Sequence, residues 1–226
     1  MREIVPNVLT WSRPSERHGY DFNGHLIRHP DGNLCVDPVE PDEAVLDRLA
    51  AIGATRVLLT NRNHTRAANL FRARLGARTA IHPKDADYAR GQGAEIDDAL
   101  EVGDTIGPLQ VVGVPGKSLG EVALLWERRL LIVGDAIIGN PPGQCGVLPE
   151  KVVDDPVQMK QSIENLLVFD FDTLLVGDGA SILFGAKDRL KELVRSFHSY
   201  RRLTATASVP QRAAISGWQG GSAPQV

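Results

Sequence analysis

The amino-acid sequence predicts an α/β protein with the architecture of a four-layer αββα sandwich. Two observations favour this fold class. Strand-like segments are concentrated in two runs, within residues 4–36 and 99–133, and helical segments with one apolar face follow each run. Such helices bury their apolar face against a sheet, so this order suits two sheets with helices outside them. Periodicity alone leaves other α/β folds open.

The first half of the chain begins with strands and continues with alternating helices and strands. Residues 4–11 predict one strand. Residues 20–28 and 33–36 predict a hairpin, because the residues between them contain a proline and a glycine at positions suited to a turn. Two helices are predicted after residue 41, one ending at Gly53 and one ending at Gly76, with a short buried strand between them.

The second half predicts four closely spaced strands, then a helix, a strand and a last helix. The strands lie around Ile106 and over residues 109–114, 122–126 and 130–133. After a loop rich in Gly and Pro, the pair Asp155-Pro156 supplies an N-cap and a first-turn proline for a helix that ends near residue 167. Residues 174–176 predict a buried strand, and the apolar spacing over 186–197 predicts the final helix.

We predict one domain over residues 1–203 and a flexible tail over residues 204–226. The tail is rich in Ala, Ser, Gly, Gln and Pro and has no sustained apolar period, as is typical of a segment without a core. Trp218 is unusual in such a segment. Its indole either docks on a neighbouring surface or subunit, or lies there incidentally. Formation of a homo-oligomer through this segment is therefore one alternative.

Composition and charge exclude several functional classes. The chain has 226 residues, 42% of them hydrophobic, and a formal net charge of −3 without a block of like charge. This pattern argues against a nucleic-acid or membrane-surface partner. No stretch approaches the roughly 20 apolar residues that span a bilayer, and the first residues lack an apolar leader segment, so we expect a cytoplasmic protein. Its two cysteines are too few for a disulfide scaffold or a cysteine metal site.

Four segments, in order along the chain, carry a resemblance to a known family. They are residues 58–66 (LLTNRNHTR), 114–121 (VPGKSLGE), 130–136 (LLIVGDA) and 174–179 (LLVGDG). The first two resemble the metallo-β-lactamase superfamily loops Thr-His-x-His-x-Asp-His and Pro-Gly-His-Ser/Thr-Pro-Gly-Ser/Glu. The last two resemble the family's strands that end in Gly-Asp and in Gly-His-Gly. Over residues 4–200 the chain therefore resembles a metallo-β-lactamase-like protein, and this resemblance implies the αββα sandwich.

The resemblance also implies a zinc site, in which histidines and carboxylates hold the metal and activate a bound water. In the first loop, Asn61 and Asn63 stand where the family has two histidines, Thr65 where it has an aspartate, and Arg66 where it has a third histidine. His64 falls on a variable position between ligands. We expect it to cap or pack at the start of the second helix, with a role as general base or lone ligand as the alternative.

The remaining ligand positions are largely replaced as well. Lys117 stands at the histidine of the second loop and Asp178 at the last histidine, while Asp135 retains the bridging aspartate. Arg66 and Lys117 bring two positive charges to two carboxylates, so the sum is zero without a metal. We predict that they pair with Asp135 and Asp178 and that the site holds no metal or cofactor. A hard-cation site built from the oxygen donors, and a zinc site of altered geometry, are the alternatives.

Other catalytic motifs are weak. A phosphate-binding loop around residues 116–118 would need glycine in place of Val111 and a following helix, whereas a strand is predicted there. No Gly-x-Ser-x-Gly segment supplies a serine nucleophile. Cys145, in the Gly- and Pro-rich loop, is either an incidental loop residue or an exposed thiol that a neighbouring cation would have to activate.

Three functional hypotheses follow from the altered site. The protein is a non-catalytic or repurposed superfamily member whose cleft binds a small molecule, or a hydrolase of thioester, lactone or phosphoester substrates with an atypical metal site, as the resemblance implies. The third is a metal-independent enzyme that uses Lys117 or His64 as acid or base, with Asp135 or Asp178 as its partner. We favour the first hypothesis, in which the protein is not an enzyme, because fold alone does not carry function.

Overall fold

The computed structural model describes residues 1–126 and 128–206, and over these it has two sheets with helices on their outer faces. The strands and helices are, in chain order, β1 (Arg2–Val5), β2 (Val8–Ser15), β3 (Tyr20–Ile27), β4 (Leu34–Val36), α1 (Glu43–Ile52), β5 (Arg56–Leu59), α2 (Ala68–Leu75), β6 (Arg78–Ile81), α3 (Pro83–Gly91), β7 (Asp98–Ala99), β8 (Thr105–Ile106), β9 (Leu109–Gly113), β10 (Val122–Trp126), β11 (Arg129–Val133), α4 (Pro156–Asn165), β12 (Phe171–Val176) and α5 (Ala186–Thr206).

The first sheet has seven strands in the order β1 to β7. Strands β1 to β4 are antiparallel neighbours, and β4 to β7 are parallel and connected through α1, α2 and α3. The predicted hairpin is confirmed, with His25 opposite Val36 and Ile27 opposite Leu34. The prediction of one strand over residues 4–11 was wrong. The chain turns at Asn7, whose φ is 63°, and forms two strands instead.

Helix α3 is a second correction, because the sequence analysis predicted two helices in this half and the structure has three. Pro83 begins α3, and the side chain of His82 accepts a hydrogen bond from the backbone N–H of Lys84. The buried residues of α3 are one aspartate and two alanines, so its apolar face is too weak to give a clear periodic signal.

The second sheet has five strands in the order β12-β11-β10-β9-β8, antiparallel except for the parallel pair β11 and β12. As predicted, Asp155 caps α4, accepting hydrogen bonds from the N–H groups of Val157 and Gln158. The backbone of α5 continues to Thr206, past the predicted domain boundary at residue 203. The rest of the predicted tail, including Trp218, lies outside the described residues.

Three apolar clusters show the four-layer arrangement directly. One lies between the two sheets and includes Leu58 and Leu124. Another packs the first sheet against its helices, where Trp11 stacks on Phe71 with ring centroids 5.4 Å apart. The third packs the second sheet against α4 and α5. The predicted αββα sandwich is confirmed. Over the described part of the chain, no helix is both long and apolar enough to cross a membrane.

Candidate functional site

The candidate site lies where strands from both sheets end at the same edge of the sandwich. Asp37 directly follows β4, and residues 60–66 form the turn between β5 and α2. From the second sheet, Lys117 lies in the loop between β9 and β10, while Asp135 and Asp178 follow β11 and β12. The carboxyl ends of strands from both sheets thus bring these side chains together.

His64 is at the centre of this group. Its side chain is fully buried, and its Nδ1 lies 2.8 Å from Oδ2 of Asp37. Its Nε2 lies 3.2 Å from Oδ1 of Asp135 and 3.9 Å from Oδ1 of Asp178. The sequence predicts that His64 caps or packs at the start of α2, whereas its imidazole connects carboxylates from the two sheets.

The carboxylates around His64 keep it protonated. Burial and the nearby Arg66 lower the pKa of His64, but Asp37 and Asp135 raise it more, to about 10. The ring therefore carries a positive charge at neutral pH, and both of its nitrogens donate a proton. Burial raises the pKa of Asp135, yet His64 and Lys117 outweigh that effect and hold it below its ordinary value.

Arg66 and Lys117 form the two ion pairs that the sequence predicted. Nη2 of Arg66 lies 2.6 Å from Oδ1 of Asp178, and its guanidinium group stacks over the ring of Phe22 at 4.2 Å. Nζ of Lys117 lies 3.2 Å from Oδ2 of Asp135 and donates to Oδ1 of Asn63 at 2.9 Å. Each cation that replaces a family ligand position is thus bound to a carboxylate of the same site.

Asp37 completes the charge balance, and sequence reasoning missed it. Its carboxylate accepts hydrogen bonds from the N–H of Thr60 at 2.8 Å and the hydroxyl of Thr60 at 2.6 Å. Burial raises the pKa of Asp37, but His64 and these hydrogen bonds bring it below the ordinary value. The cluster, which we call the ion-pair cluster, then holds three cations and three carboxylates: His64, Arg66, Lys117, Asp37, Asp135 and Asp178. An acidic residue directly after a buried strand was the available signal.

Glu121 is a second buried carboxyl that the sequence analysis did not select. Its Oε1 accepts a hydrogen bond from the N–H of Ala136 at 2.7 Å, while its Oε2 is buried without a partner. Burial and the charge of Asp135 raise the pKa of Glu121 well above its ordinary value. Its buried position thus disfavours a fourth negative charge beside the ion-pair cluster.

The two asparagines and Thr65 have different roles. Asn61 is buried, and its Oδ1 accepts a hydrogen bond from the N–H of Asn63 at 2.8 Å, which shapes the turn. Asn63 in turn accepts from Lys117. Thr65 is half-buried, and within the described part of the chain its hydroxyl makes no side-chain hydrogen bond to the ion-pair cluster.

The loop that carries Lys117 is held in place from two sides. Gly116 has a φ of 143° and lies so close to α4 that a Cβ there would overlap the backbone of Met159. The buried Asp85 accepts hydrogen bonds from the hydroxyl of Ser118 at 2.6 Å and the N–H of Gly120 at 3.0 Å. These anchors fix the loop backbone, and the contacts with Asn63 and Asp135 orient the ammonium group of Lys117.

A Gly116→Ala change should therefore destabilise the protein and displace Lys117. We expect the free energy of unfolding to fall by roughly 2 to 4 kcal/mol, because the side chain meets both backbone strain and steric overlap. Chemical denaturation would measure this. Gly91→Ala is the control, since a Cβ at Gly91 meets open space at the end of α3. Equal stability of the two variants would contradict the role assigned to Gly116.

Comparison with known proteins identifies the family. The family model described as metallo-beta-lactamase superfamily matches residues 2–197. The chain belongs to the metallo-β-lactamase superfamily. A hydroxyacylglutathione hydrolase of Synechococcus sp. (strain JA-3-3Ab) is 32% identical over 163 residues, which are 68% of this chain and 60% of that protein. One from Anaeromyxobacter dehalogenans (strain 2CP-C) is 33% identical over 134 residues, 57% of this chain and 51% of that protein. The chain thus spans only about half to three fifths of these relatives.

A solved structure supports the fold independently. The crystal structure of a beta-lactamase domain protein from Burkholderia ambifaria is similar with a TM-score of 0.69 and 20% sequence identity. The match covers 93% of this chain and 80% of that one. At this identity the likeness shows the superfamily fold and leaves the chemistry of the site to its residues.

The ion-pair cluster lies at the base of a cleft of about 800 Å³. Side chains of His64, Lys117 and Asp178 form part of its lining, as do Tyr20 and Val147. Among the described residues, one group of His, Cys, Asp or Glu side chains is close enough to hold a metal: His64, Asp135 and Asp178, whose ligand atoms lie within 4.8 Å of one another. In superfamily terms this group combines the retained aspartate, Asp135, with one substituted ligand position, Asp178, and one position between ligands, His64.

The thiol of Cys145 is not positioned for nucleophilic chemistry. The residue is half-buried and packs against the apolar cluster between the second sheet and its helices. Burial raises its pKa to about 11, so it stays protonated at neutral pH. Cys35 is fully buried in the other outer cluster.

Proposed function

We propose that this superfamily member binds a small molecule in its cleft without a metal ion and is not a hydrolase. The observation that carries the proposal is the ion-pair cluster, in which three cationic side chains are bound to three carboxylates. Together they give a net charge of zero at the place where the superfamily resemblance implies zinc. A buried cluster of this kind needs no further cation for neutrality.

The donor chemistry of the cluster does not fit a divalent cation. Nδ1 of His64 lies 2.8 Å from Asp37 and its Nε2 lies 3.2 Å from Asp135, so a metal bound through Nε2 would have to displace a proton and the contact with Asp135. The ammonium group of Lys117 and the guanidinium group of Arg66 lie within 3.2 Å and 2.6 Å of the carboxylates that a metal would need. Both cations would also repel a dication, which supports a metal-free site.

Metal content tests this proposal directly. Protein expressed without a tag, with zinc and manganese added to the medium, should contain less than about 0.1 equivalent of metal per chain after dialysis, because protonated or cation-paired donors bind metal weakly. Inductively coupled plasma mass spectrometry would measure it. One or two equivalents of zinc would overturn the proposal.

A designed gain of metal binding is the matching positive control. The double change Lys117→His and Asp178→His removes one positive and one negative charge and places imidazoles at two positions where the superfamily has histidine. We expect it to bind zinc more tightly than the wild-type protein, measured by competition with a chromophoric chelator. Unchanged zinc affinity would argue that these positions do not share the geometry of the superfamily's metal site.

A metal-dependent hydrolase is the second candidate function. It is supported by the two relatives named hydroxyacylglutathione hydrolase and by the proximity of ligand atoms in His64, Asp135 and Asp178. The test is hydrolysis of a hydroxyacylglutathione thioester by protein supplied with zinc or iron. Turnover that disappears on chelation and with Asp135→Asn would favour this candidate, whereas our first proposal predicts no metal-dependent turnover.

A further inference from the structure

The lining of the cleft is positively charged, although the whole chain has a net charge of −3. Its lining includes four side chains with a permanent positive charge but only two carboxylates, those of Asp135 and Asp178. The cations are Arg17, Arg66, Lys117 and Lys151. Since the two carboxylates are already paired with Arg66 and Lys117, the charge that remains for a ligand is positive. A concave surface of one sign raises the local concentration of ligands of the opposite sign.

The base of the cleft offers a hydrogen-bond donor as well as charge. The side chain of Lys117 is only 8% exposed, and it borders the cleft. An ammonium group has three N–H donors, and the described contacts of Lys117 use two of them, to Asn63 and Asp135. The anchored loop holds this group in place, so a ligand atom that accepts the third hydrogen bond pays little ordering cost.

The rim and the walls differ in character. Arg17, in the turn between β2 and β3, and Lys151, in the turn before α4, are exposed and lie on the lining of the same cleft. The aromatic rings of Tyr20 and Phe22 also contribute to the lining, as do the aliphatic side chains of Val147, Leu148 and Val152. A ligand of about drug size would find apolar contacts along its body and cations at its ends, and the volume of about 800 Å³ is ample for it.

We infer that the ligand of this cleft is an organic anion, with an apolar or aromatic body and a carboxylate or phosphate group that contacts Lys117 and the rim cations. The inference rests on the proposed function, because it assigns the positive charge of the cleft to a ligand instead of a metal-bound substrate. Carboxylates and phosphates share the chemistry that ammonium and guanidinium groups recognise.

Matched probes test the inference. Phenylacetate, phenyl phosphate and the neutral phenylacetamide are titrated into the 226-residue chain by isothermal calorimetry, before and after treatment with a chelator. We expect at least one anion to bind at least about tenfold more tightly than the amide, with affinity falling as salt is added. Comparing the two anions decides between carboxylate and phosphate. Equal affinity for anions and amide, or no binding of either anion, would overturn the inference.

Charge variants locate the binding. Arg17→Ala with Lys151→Ala should weaken binding of the better anion by about three- to tenfold, because rim charges attract the ligand. The control is Arg48→Ala with Arg195→Ala, which removes the same charge from exposed positions that do not line the cleft. Equal weakening in both double variants would overturn the assignment to this cleft. Anion binding that disappears after chelation would contradict the proposed metal-free function, whereas metal-free protein without anion preference would refute only the inference.

Discussion

Replacement of His64 by leucine should lower the free energy of unfolding by about 3 to 5 kcal/mol at neutral pH. The change leaves the fully buried Asp37 without its cationic partner and removes one of the two cations that contact Asp135. An unpaired buried carboxylate must become protonated or draw water into the core, and either costs free energy. Urea denaturation followed by circular dichroism would measure the loss.

A double-mutant cycle separates this loss from general loss of packing. Asp37→Asn alone should also destabilise the protein. The double variant with His64→Leu should lose less stability than the sum of the two single losses, because each single change leaves one member of the ion pair unpaired and the double change removes both members. His198→Leu is the control. His198 is on the exposed face of α5, where its ring lies 3.4 Å from Glu164, so its removal should change stability by less than about 1 kcal/mol. A similar small effect at His64 would contradict the central role of that residue.

Stability should fall as the pH rises from about 6.5 toward 10. The pKa of His64 is near 6.5 in an unfolded chain and about 10 in the folded protein, so the folded state holds a proton that the unfolded state has lost. A pKa that is raised in this way contributes stability that is fully present at a pH below the pKa of the unfolded chain. This stability is lost as the pH rises to the pKa of the folded protein. The loss for this one proton amounts to about 3 kcal/mol between pH 6.5 and pH 9.

Glu121 should add to the same trend. Its pKa is raised well above 4.5 in the folded protein, so the folded state keeps a proton that the unfolded state loses as the pH rises through about 4.5, and stability falls from there. Glu121→Gln keeps an acceptor for the N–H of Ala136 and removes this proton. The variant should therefore show a shallower decline of stability as the pH rises above about 4.5, measured by denaturation at several pH values. A wild-type stability that is level or rising between pH 6.5 and 9 would contradict the protonation of His64.

Most of the fold followed from local signals, and the exceptions have physical causes. Helices with strong apolar stripes and clear end signals, such as α4 with its Asp155 cap, were predicted at their observed positions. Helix α3 was missed because alanines form most of its buried face, although Pro83 marked its start. One strand was predicted where the structure has two. The positive φ of Asn7 turns the chain between them, and the apolar periodicity of the sequence contains no signal for such a backbone conformation.

The part of the candidate site that could be predicted consists of charged residues at ligand positions known from the family resemblance. The pairs of Arg66 with Asp178 and of Lys117 with Asp135 could be anticipated from charge alone. The direction of the His64 side chain could not, because it follows from an irregular turn in which the N–H of His64 donates to the carbonyl of Asn61. Neither 2-residue nor 3.6-residue periodicity applies to such a turn.

The ion-pair cluster is also an interface between the two halves of the molecule. The first sheet and its connections contribute His64, Arg66 and Asp37, a sum of +1, while the second contributes Lys117, Asp135 and Asp178, a sum of −1. Three of its ion pairs, His64 with Asp135, His64 with Asp178 and Arg66 with Asp178, cross from one half to the other. During folding each half would therefore present an uncompensated charge of opposite sign at the same edge, and their mutual attraction would favour the native docking of the two sheets over a shifted one.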